Sequence, residues 1–493
     1  MKKYIMGLDA GTTSVRTVIF DVKKNEIIAV ERQKFKQYFP KNGWVEHDAN
    51  EIWFAISKTI KDCLNKNNIN PKDIYCIGIT NQRESVVAWD RRTGESICPS
   101  IVWQCRRTAD YCSKMRESLV RDIKKRTGLK VDAYFSATKM KWILEHDRNA
   151  QKLLSSGNLC LGTIDSYLVY RLSNCTSFVT DTSNASRTML YNITDLKWDT
   201  KLIKEFGIPI ETLAKVVDNG KVIANANILG VQIPIASILG DQQSSLFGQG
   251  CFDIGQAKNT YGTGCFILAN IGNNHIPNDK LLTTIAWTIN GKTTYALEGS
   301  VFNAGSAMDW AIENMSWAIS SKESSMVASS VPDTNDVYIV PAFTGIGAPY
   351  WDQYARGIIT GISRGTTKAH LMRATLESMA YNTCDILDCM SKKGIKIKEI
   401  TVDGGVSKND FLMQFQSDMA KINVTRLNTT ESTVLGCIYM AGLSIGIYNS
   451  LDEIKSKIVR AQTFTPSMPN SVRNSKLKGW HNAVQKTLYK NED

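Results

Sequence analysis

Apolar residues cluster at Tyr4-Ile5-Met6-Gly7-Leu8, which predicts a short buried strand. The polar stretch Asp9-Ala10-Gly11-Thr12-Thr13-Ser14 follows, and Val15–Asp21 is again β-rich. Strand, Gly/Thr turn and strand make a hairpin, unlike the strand-to-helix turn of a Rossmann or Walker site. Apolar spacing predicts a helix over Ile52–Leu64 and a buried strand over Ile74–Thr80. Ser136–His146 is expected to be helical, with Trp142 and Ile143 facing inward, and a further helix starts in Asp165–Leu172.

The pattern changes in the middle of the chain. Six glycines fall between Gly240 and Gly264, and a second Gly/Thr turn, Tyr261-Gly262-Thr263-Gly264, precedes the apolar run Cys265–Ala269. A third turn, Asp403-Gly404-Gly405, follows the β-rich Ile397–Val402. Each half thus repeats a strand, a Gly/Thr turn and a strand, then helices. This weak duplication predicts two α/β domains, residues 1–250 and 251–493, hinged over a cleft.

A length of 493 residues agrees with two domains, and 43% apolar with 22% charged residues is ordinary globular usage. The formal charge of +12 raises nucleic acid as a partner. Lys and Arg are spread along the whole chain without basic runs interleaved with aromatics, so no nucleic-acid partner is expected. Twelve Cys occur without a Cys-x-x-Cys pair, which suits free thiols in a reducing compartment. No apolar stretch reaches the roughly 18–20 residues that span a bilayer. Asp9 interrupts the start before a signal-peptide core could form, and Lys490-Asn491-Glu492-Asp493 matches no targeting signal. The expected location is cytoplasmic.

Two Gly/Thr turns facing each other across a cleft can clamp phosphates, because glycines let backbone N–H groups approach phosphate oxygens and threonines add hydroxyl donors. Asp9 in the first turn could hold Mg²⁺ through water. No Gly-x-x-x-x-Gly-Lys-[Ser/Thr] motif is present, which excludes a P-loop NTPase, and the protein-kinase motif set is missing too. Asn81-Gln82-Arg83-Glu84 and Gly240-Asp241-Gln242-Gln243 each follow a β-rich run and are dense in hydrogen-bonding groups, as a polyol site requires. Arg83-Glu84 could equally be a solvated surface pair. Asp241, one carboxylate among amides and glycines, suits a base for an attacking hydroxyl. His47, between Glu46 and Asp48, reads as part of a structural loop rather than a metal site. Phe343 and Tyr350 could gate a nucleotide cleft, with packing the alternative.

Several strings, in order along the chain, resemble the FGGY carbohydrate kinases, and within them the glycerol kinases. They include Gly43-Trp44-Val45-Glu46-His47-Asp48, Gly78-Ile79-Thr80-Asn81-Gln82-Arg83-Glu84 and Ile101-Val102-Trp103-Gln104-Cys105-Arg106-Arg107-Thr108. Asn184-Ala185-Ser186-Arg187-Thr188, Gly240-Asp241-Gln242-Gln243, Lys258-Asn259-Thr260-Tyr261-Gly262-Thr263-Gly264-Cys265-Phe266 and Val402-Asp403-Gly404-Gly405 continue the series. The looser pattern from Tyr134 through His146 fits as well.

The resemblance implies an α/β fold of two duplicated actin-like, ribonuclease H-like domains flanking a catalytic cleft, closing on ATP and Mg²⁺. It implies glycerol against Arg83, Glu84, Tyr134, Asp241 and Gln242, with Trp103 and Phe266 as an apolar wall. Asp241 would be the catalytic base, and Asp9 a catalytic residue that holds Mg²⁺. Thr12, Thr13, Ser14, Arg16, Thr263 and Gly264 would contact phosphates, and Gly305, Gly405 and Asn409 would flank the nucleoside. A homo-oligomer, dimer or tetramer, is expected by analogy, without membrane insertion. Ala10 stands where glycerol kinases commonly carry Gln, and Asp309 where a bacterial glycerol kinase pattern has Gln near the nucleotide, which bears on the phosphate site and on the nucleoside contact. A kinase for a pentulose or gluconate, and an idle nucleotide-binding scaffold, are the competing readings.

Overall fold

The computed structural model describes residues 2–488. The C-terminal tetrapeptide inspected for targeting signals lies outside the described residues.

The first hairpin forms as its pattern predicts: Tyr4–Ala10 pairs antiparallel with Ser14–Asp21, which pairs antiparallel with Glu26–Lys34. On its other side Tyr4–Ala10 runs parallel to Ile74–Asn81, itself parallel to Val231–Gly240, and Ala224–Ile228 closes the six-stranded sheet. Burial on both faces explains the near-continuous apolar reading of Ile74–Asn81.

A seven-stranded sheet repeats this alternation in the second half. Lys292–Val301, Cys265–Gly272 and Gln256–Tyr261 pair antiparallel in succession. Gln256–Tyr261 then runs parallel to Glu399–Asp403, which runs parallel to Asn423–Leu427, with Arg460–Phe464 antiparallel at the edge. Leu282–Ile289 is added at the far side. Both halves therefore carry the same antiparallel, antiparallel, parallel, parallel, antiparallel series, so the duplication seen in the Gly/Thr turns extends through the sheets.

Two helices join the halves. Asp241–Gly248 and Ser432–Ser444 cross in a shared apolar core with Ile5, Val18 and Cys76 from the first sheet and Leu268 and Ala296 from the second. The crossing is close because each helix presents a glycine. A Cβ on Gly436 would lie 1.8 Å from the Ser244 carbonyl oxygen, and one on Gly248 would lie 2.0 Å from that of Ser432.

Several local expectations are met closely. The helix over Ile52–Leu64 spans Ala49–Lys66, capped by Asp48, and the Ser136–His146 helix has those bounds. Ile143 faces the core, whereas Trp142 is only partly buried, stacked on His146 with the Arg107 guanidinium 4.6 Å from its ring. His47 does not sit in a loop: it is fully buried in the two-residue strand Glu46–His47, paired with Ser100–Ile101. All twelve Cys are free thiols. No helix among the described residues is long and apolar enough to cross a membrane.

Candidate active site

Strand register assembles the site. In the first sheet Ala10, Asn81 and Gly240 lie side by side across three parallel strands. The first Gly/Thr turn, the loop Gln82–Glu84 and the helix starting at Asp241 therefore leave the sheet at one edge, the carboxyl ends where ligands of α/β sheets bind. In the second sheet Thr260 is level with Asp403, and Cys265 with Val301, which gathers the second and third turns and the segment before Gly305. The Gly305 and Ala304 amides donate to the carbonyls of Gly262 and Thr263, tying the second turn to the helix Gly305–Asp309. Gly404 must be glycine: its φ is +90°, and a Cβ there would lie 2.3 Å from the Tyr261 carbonyl oxygen. A surface cavity of about 750 Å³, lined by Phe252, Gln256, Glu399, Asn423 and Arg460 among others, lies at the opposite, amino ends of these strands.

Arg83 and Glu84 are not a surface pair; both are almost fully buried. The Arg83 guanidinium reaches Glu298 at 2.6 and 3.2 Å, Asp241 Oδ1 at 3.2 Å and the Gln243 side-chain oxygen at 3.2 Å. Arg187, also fully buried, donates to Glu84 at 2.6 Å and to Glu298 at 2.9 Å. Two guanidiniums and two carboxylates thus neutralise one another away from water, the condition under which buried charges are tolerated. Burial pushes Glu298 toward the neutral acid, but Arg187 and Arg83 outweigh it and hold its pKa at about 2. Glu84 takes a left-handed conformation, φ +61°, a strained turn of the kind kept at functional sites.

Tyr134 lies beside this network. Its hydroxyl is 3.4 Å from Arg83, and its ring meets Trp103 edge-on at 5.6 Å, with Phe266 6.5 Å beyond. The fully buried Lys139 holds the Tyr134 backbone by donating to the carbonyls of Ala133, Tyr134 and Phe135 at 2.6, 2.6 and 3.0 Å. The Trp103 indole N–H donates to Thr12 Oγ1 at 3.0 Å, so the aromatic pair touches the first Gly/Thr turn. Asp241 opens the helix Asp241–Gly248, with Oδ1 accepting the Gln242 amide at 2.7 Å. Burial, opposed by Arg83, raises its pKa to about 6.

Beside the first Gly/Thr turn, Arg16 is committed to ion pairs with Asp9 and, at 2.5 Å, with Glu431. Both Arg16 contacts fall on Oδ2 of Asp9, leaving Oδ1 for another partner. Ser14 accepts from Arg32 at 2.9 Å. Asn409 caps the helix Asp410–Ala420 by accepting the Leu412 amide and donates to Ser324, so its side chain is committed to the fold. Gly405 faces open space, and Asp309 is exposed. Tyr350 donates to Asp385 at 2.8 Å, while Phe343 is about one-third exposed (37%) and packs on Trp310.

Four residues join the site that the motif reading left unassigned. Arg187, Lys258 and Asp403 sit inside strings already singled out; Glu298 does not. It is a lone carboxylate in the apolar run Tyr295-Ala296-Leu297-Glu298, and that isolation was the signal available. Asp403 is buried, accepting from Ser432 and Ser245 on Oδ2, with Oδ1 left unpartnered.

Comparison with known proteins places the whole chain among carbohydrate kinases. The chain is 50% identical over 493 residues to a glycerol kinase of Thermoanaerobacter sp. (strain X514), covering 99% of each chain. It is 49% identical over 491 residues to a glycerol kinase of Petrotoga mobilis, covering 99% of this chain and 98% of that one. Its fold superposes on the crystal structure of Plasmodium falciparum glycerol kinase with ADP at a TM-score of 0.92, with 33% identity, covering 99% and 98% of the two chains. The models of the N-terminal and C-terminal domains of the FGGY family of carbohydrate kinases match residues 4–248 and 257–445, and the chain belongs to that family.

Proposed function

We propose that the protein transfers the γ-phosphoryl group of ATP to a terminal hydroxyl of glycerol, giving sn-glycerol 3-phosphate. The observation that carries this reading is the placement of Asp241 3.2 Å from Arg83, within the network that also engages Tyr134, while the Trp103 wall is hydrogen-bonded to the phosphate turn. A small polyol fits a site with charged and amide groups on one side and two edge-on aromatics on the other. The half-and-half division is part of the reading: residues 1–250 supply the polyol seat, the first phosphate turn and the base, and residues 251–493 the nucleotide side, with Phe266 and Glu298 reaching the polyol seat from the second half.

In the reaction the terminal hydroxyl oxygen attacks the γ-phosphorus in line. The P–O bond to the β-phosphate breaks, ADP leaves with that bonding pair, and the hydroxyl proton passes to an Asp241 oxygen. Arg83, Glu84, Tyr134 and Gln242 orient the polyol, and Trp103 and Phe266 exclude water around its carbons. Thr12, Thr13, Ser14 and Arg16 face Thr263 and Gly264 across the phosphates, with Gly305, Gly405 and Asn409 on the nucleoside side.

Mg²⁺ fits this site on one observation: both Arg16 contacts fall on Oδ2 of Asp9, so Oδ1 is left for a cation or its water. A cation that keeps waters and takes phosphate oxygens needs no more than one or two carboxylates. Bound there, Mg²⁺ would neutralise charge on the phosphates, and Asp9 would hold it, directly or through water. The expected setting is the cytoplasm.

The test is ADP release from purified protein with Mg-ATP and glycerol, beside Asp241→Asn. Glycerol-dependent turnover is expected in the wild type, with a loss of at least roughly a hundredfold in the variant. A folded, ATP-binding wild type that is silent with glycerol but active on xylulose or gluconate would overturn the glycerol assignment.

A further inference from the structure

Lys258 is a fully buried lysine on the strand Gln256–Tyr261, and the phosphoryl transfer as described leaves it without a role. Its ammonium reaches from the second sheet to the helix that begins with Asp241. There it donates to the side-chain oxygen of Gln242, and it also donates to Thr260 Oγ1 at 2.9 Å. An ammonium has donors only, so it faces the amide oxygen and settles which way round the Gln242 amide lies. The amide nitrogen of Gln242 is then the end left to donate to a substrate oxygen.

The charges around the two groups point the same way. Asp241 is faced by Arg83, Glu84 and Lys258, and Lys258 by Asp403, Asp241, Arg83 and Glu298. Arg83 is already shared with Glu298, which it grips through two nitrogens. Lys258 makes no such pair, and its two hydrogen bonds go to neutral oxygens. Arg83, 3.2 Å from Asp241, is the nearer cation, and Lys258 adds a second positive charge to the same carboxylate from the other sheet. Burial lowers its pKa to about 8, against Asp403 and Asp241, which raise it, so it is cationic at neutral pH.

We propose that Lys258 is a positioning residue for the transfer: its ammonium turns the Gln242 amide toward the polyol, and its charge, added to that of Arg83, favours the ionised form of Asp241. The inference rests on the reading of Asp241 as base and Gln242 as a polyol contact.

The experiment compares the pH dependence of kcat/KM in wild type, Lys258→Met and Lys258→Gln, using whichever polyol the wild type accepts. Removing the cation is expected to move the acid limb up by roughly one pH unit, the usual scale for loss of a nearby opposite charge. KM for the polyol is expected to rise at least about tenfold in Lys258→Met, and less in Lys258→Gln, which keeps an amide donor. Folding is checked by a circular dichroism melt; if Lys258→Met fails it, Lys258→Gln carries the comparison. An acid limb that stays in place in a folded variant overturns the proposal, even if KM rises, because a packing role would change KM alone. The wild type's own choice of glycerol or another polyol judges the substrate assignment separately.

Discussion

Burial and charge give the residues at this site properties that their sequence neighbours do not. Asp241, raised to about 6 by burial, must be ionised to act as the proposed base. As pH falls through that value the base is lost, so kcat/KM should fall about tenfold per unit below roughly pH 6 and level off above it. A steady-state pH profile with glycerol saturated by Mg-ATP checks this; a profile flat down to pH 5 would remove Asp241 as the base. Asp241 itself was legible in the sequence as a carboxylate among amides and glycines. Arg83 was ambiguous, because an Arg-Glu pair after a strand is usually solvated, and its buried partner Glu298 is 215 residues away. Local spacing cannot report such a partner. His47 misled in the same way: flanked by two acids it resembles a loop residue, yet it sits unexposed beside Gln82.

Among the elements, periodicity located strands and helices well, and the hairpin at each Gly/Thr turn followed from apolar runs on both sides. What it could not supply is how helices meet. By propensity alone, Gly436 in the middle of the Ser432–Ser444 helix should be improved by alanine, by about 1 kcal/mol. The neighbouring helix reverses that sign. The new Cβ would fall 1.8 Å from the Ser244 carbonyl oxygen, backbone that cannot rotate away. Gly436→Ala should instead destabilise by about 1–3 kcal/mol, the range for overpacking a close contact. Thermal melts of the variant and the wild type decide it: a raised midpoint would mean that the two helices separate freely.

For the whole molecule, the two halves are joined through charge as well as through the helix pair. Glu298 comes from a strand of the second sheet, whereas Arg83 and Arg187 come from the first half, and all three are buried. Glu298→Gln would leave two buried guanidiniums short of one negative charge, and breaking such a cluster costs about 3–5 kcal/mol. Scanning calorimetry should show a lowered unfolding midpoint, and assays a raised glycerol KM because Arg83 loses its orientation. A variant as stable as wild type, with unchanged KM, would show that the cluster is not what sets Arg83 in place. The sequence by itself determined the α/β class, the repeated hairpin turns and the short strings that carry Asp9, Arg83, Trp103, Asp241 and Thr263, because each depends on neighbours within a few residues. Only the tertiary structure decided that Arg83 and Glu84 are buried, that Glu298 and Lys258 reach the first half from the second sheet, and that Thr12 is tied to Trp103. Those facts depend on strands far apart in sequence meeting in register, and the hydrogen bonds and desolvation that give the residues their chemistry exist only after the chain has closed on itself.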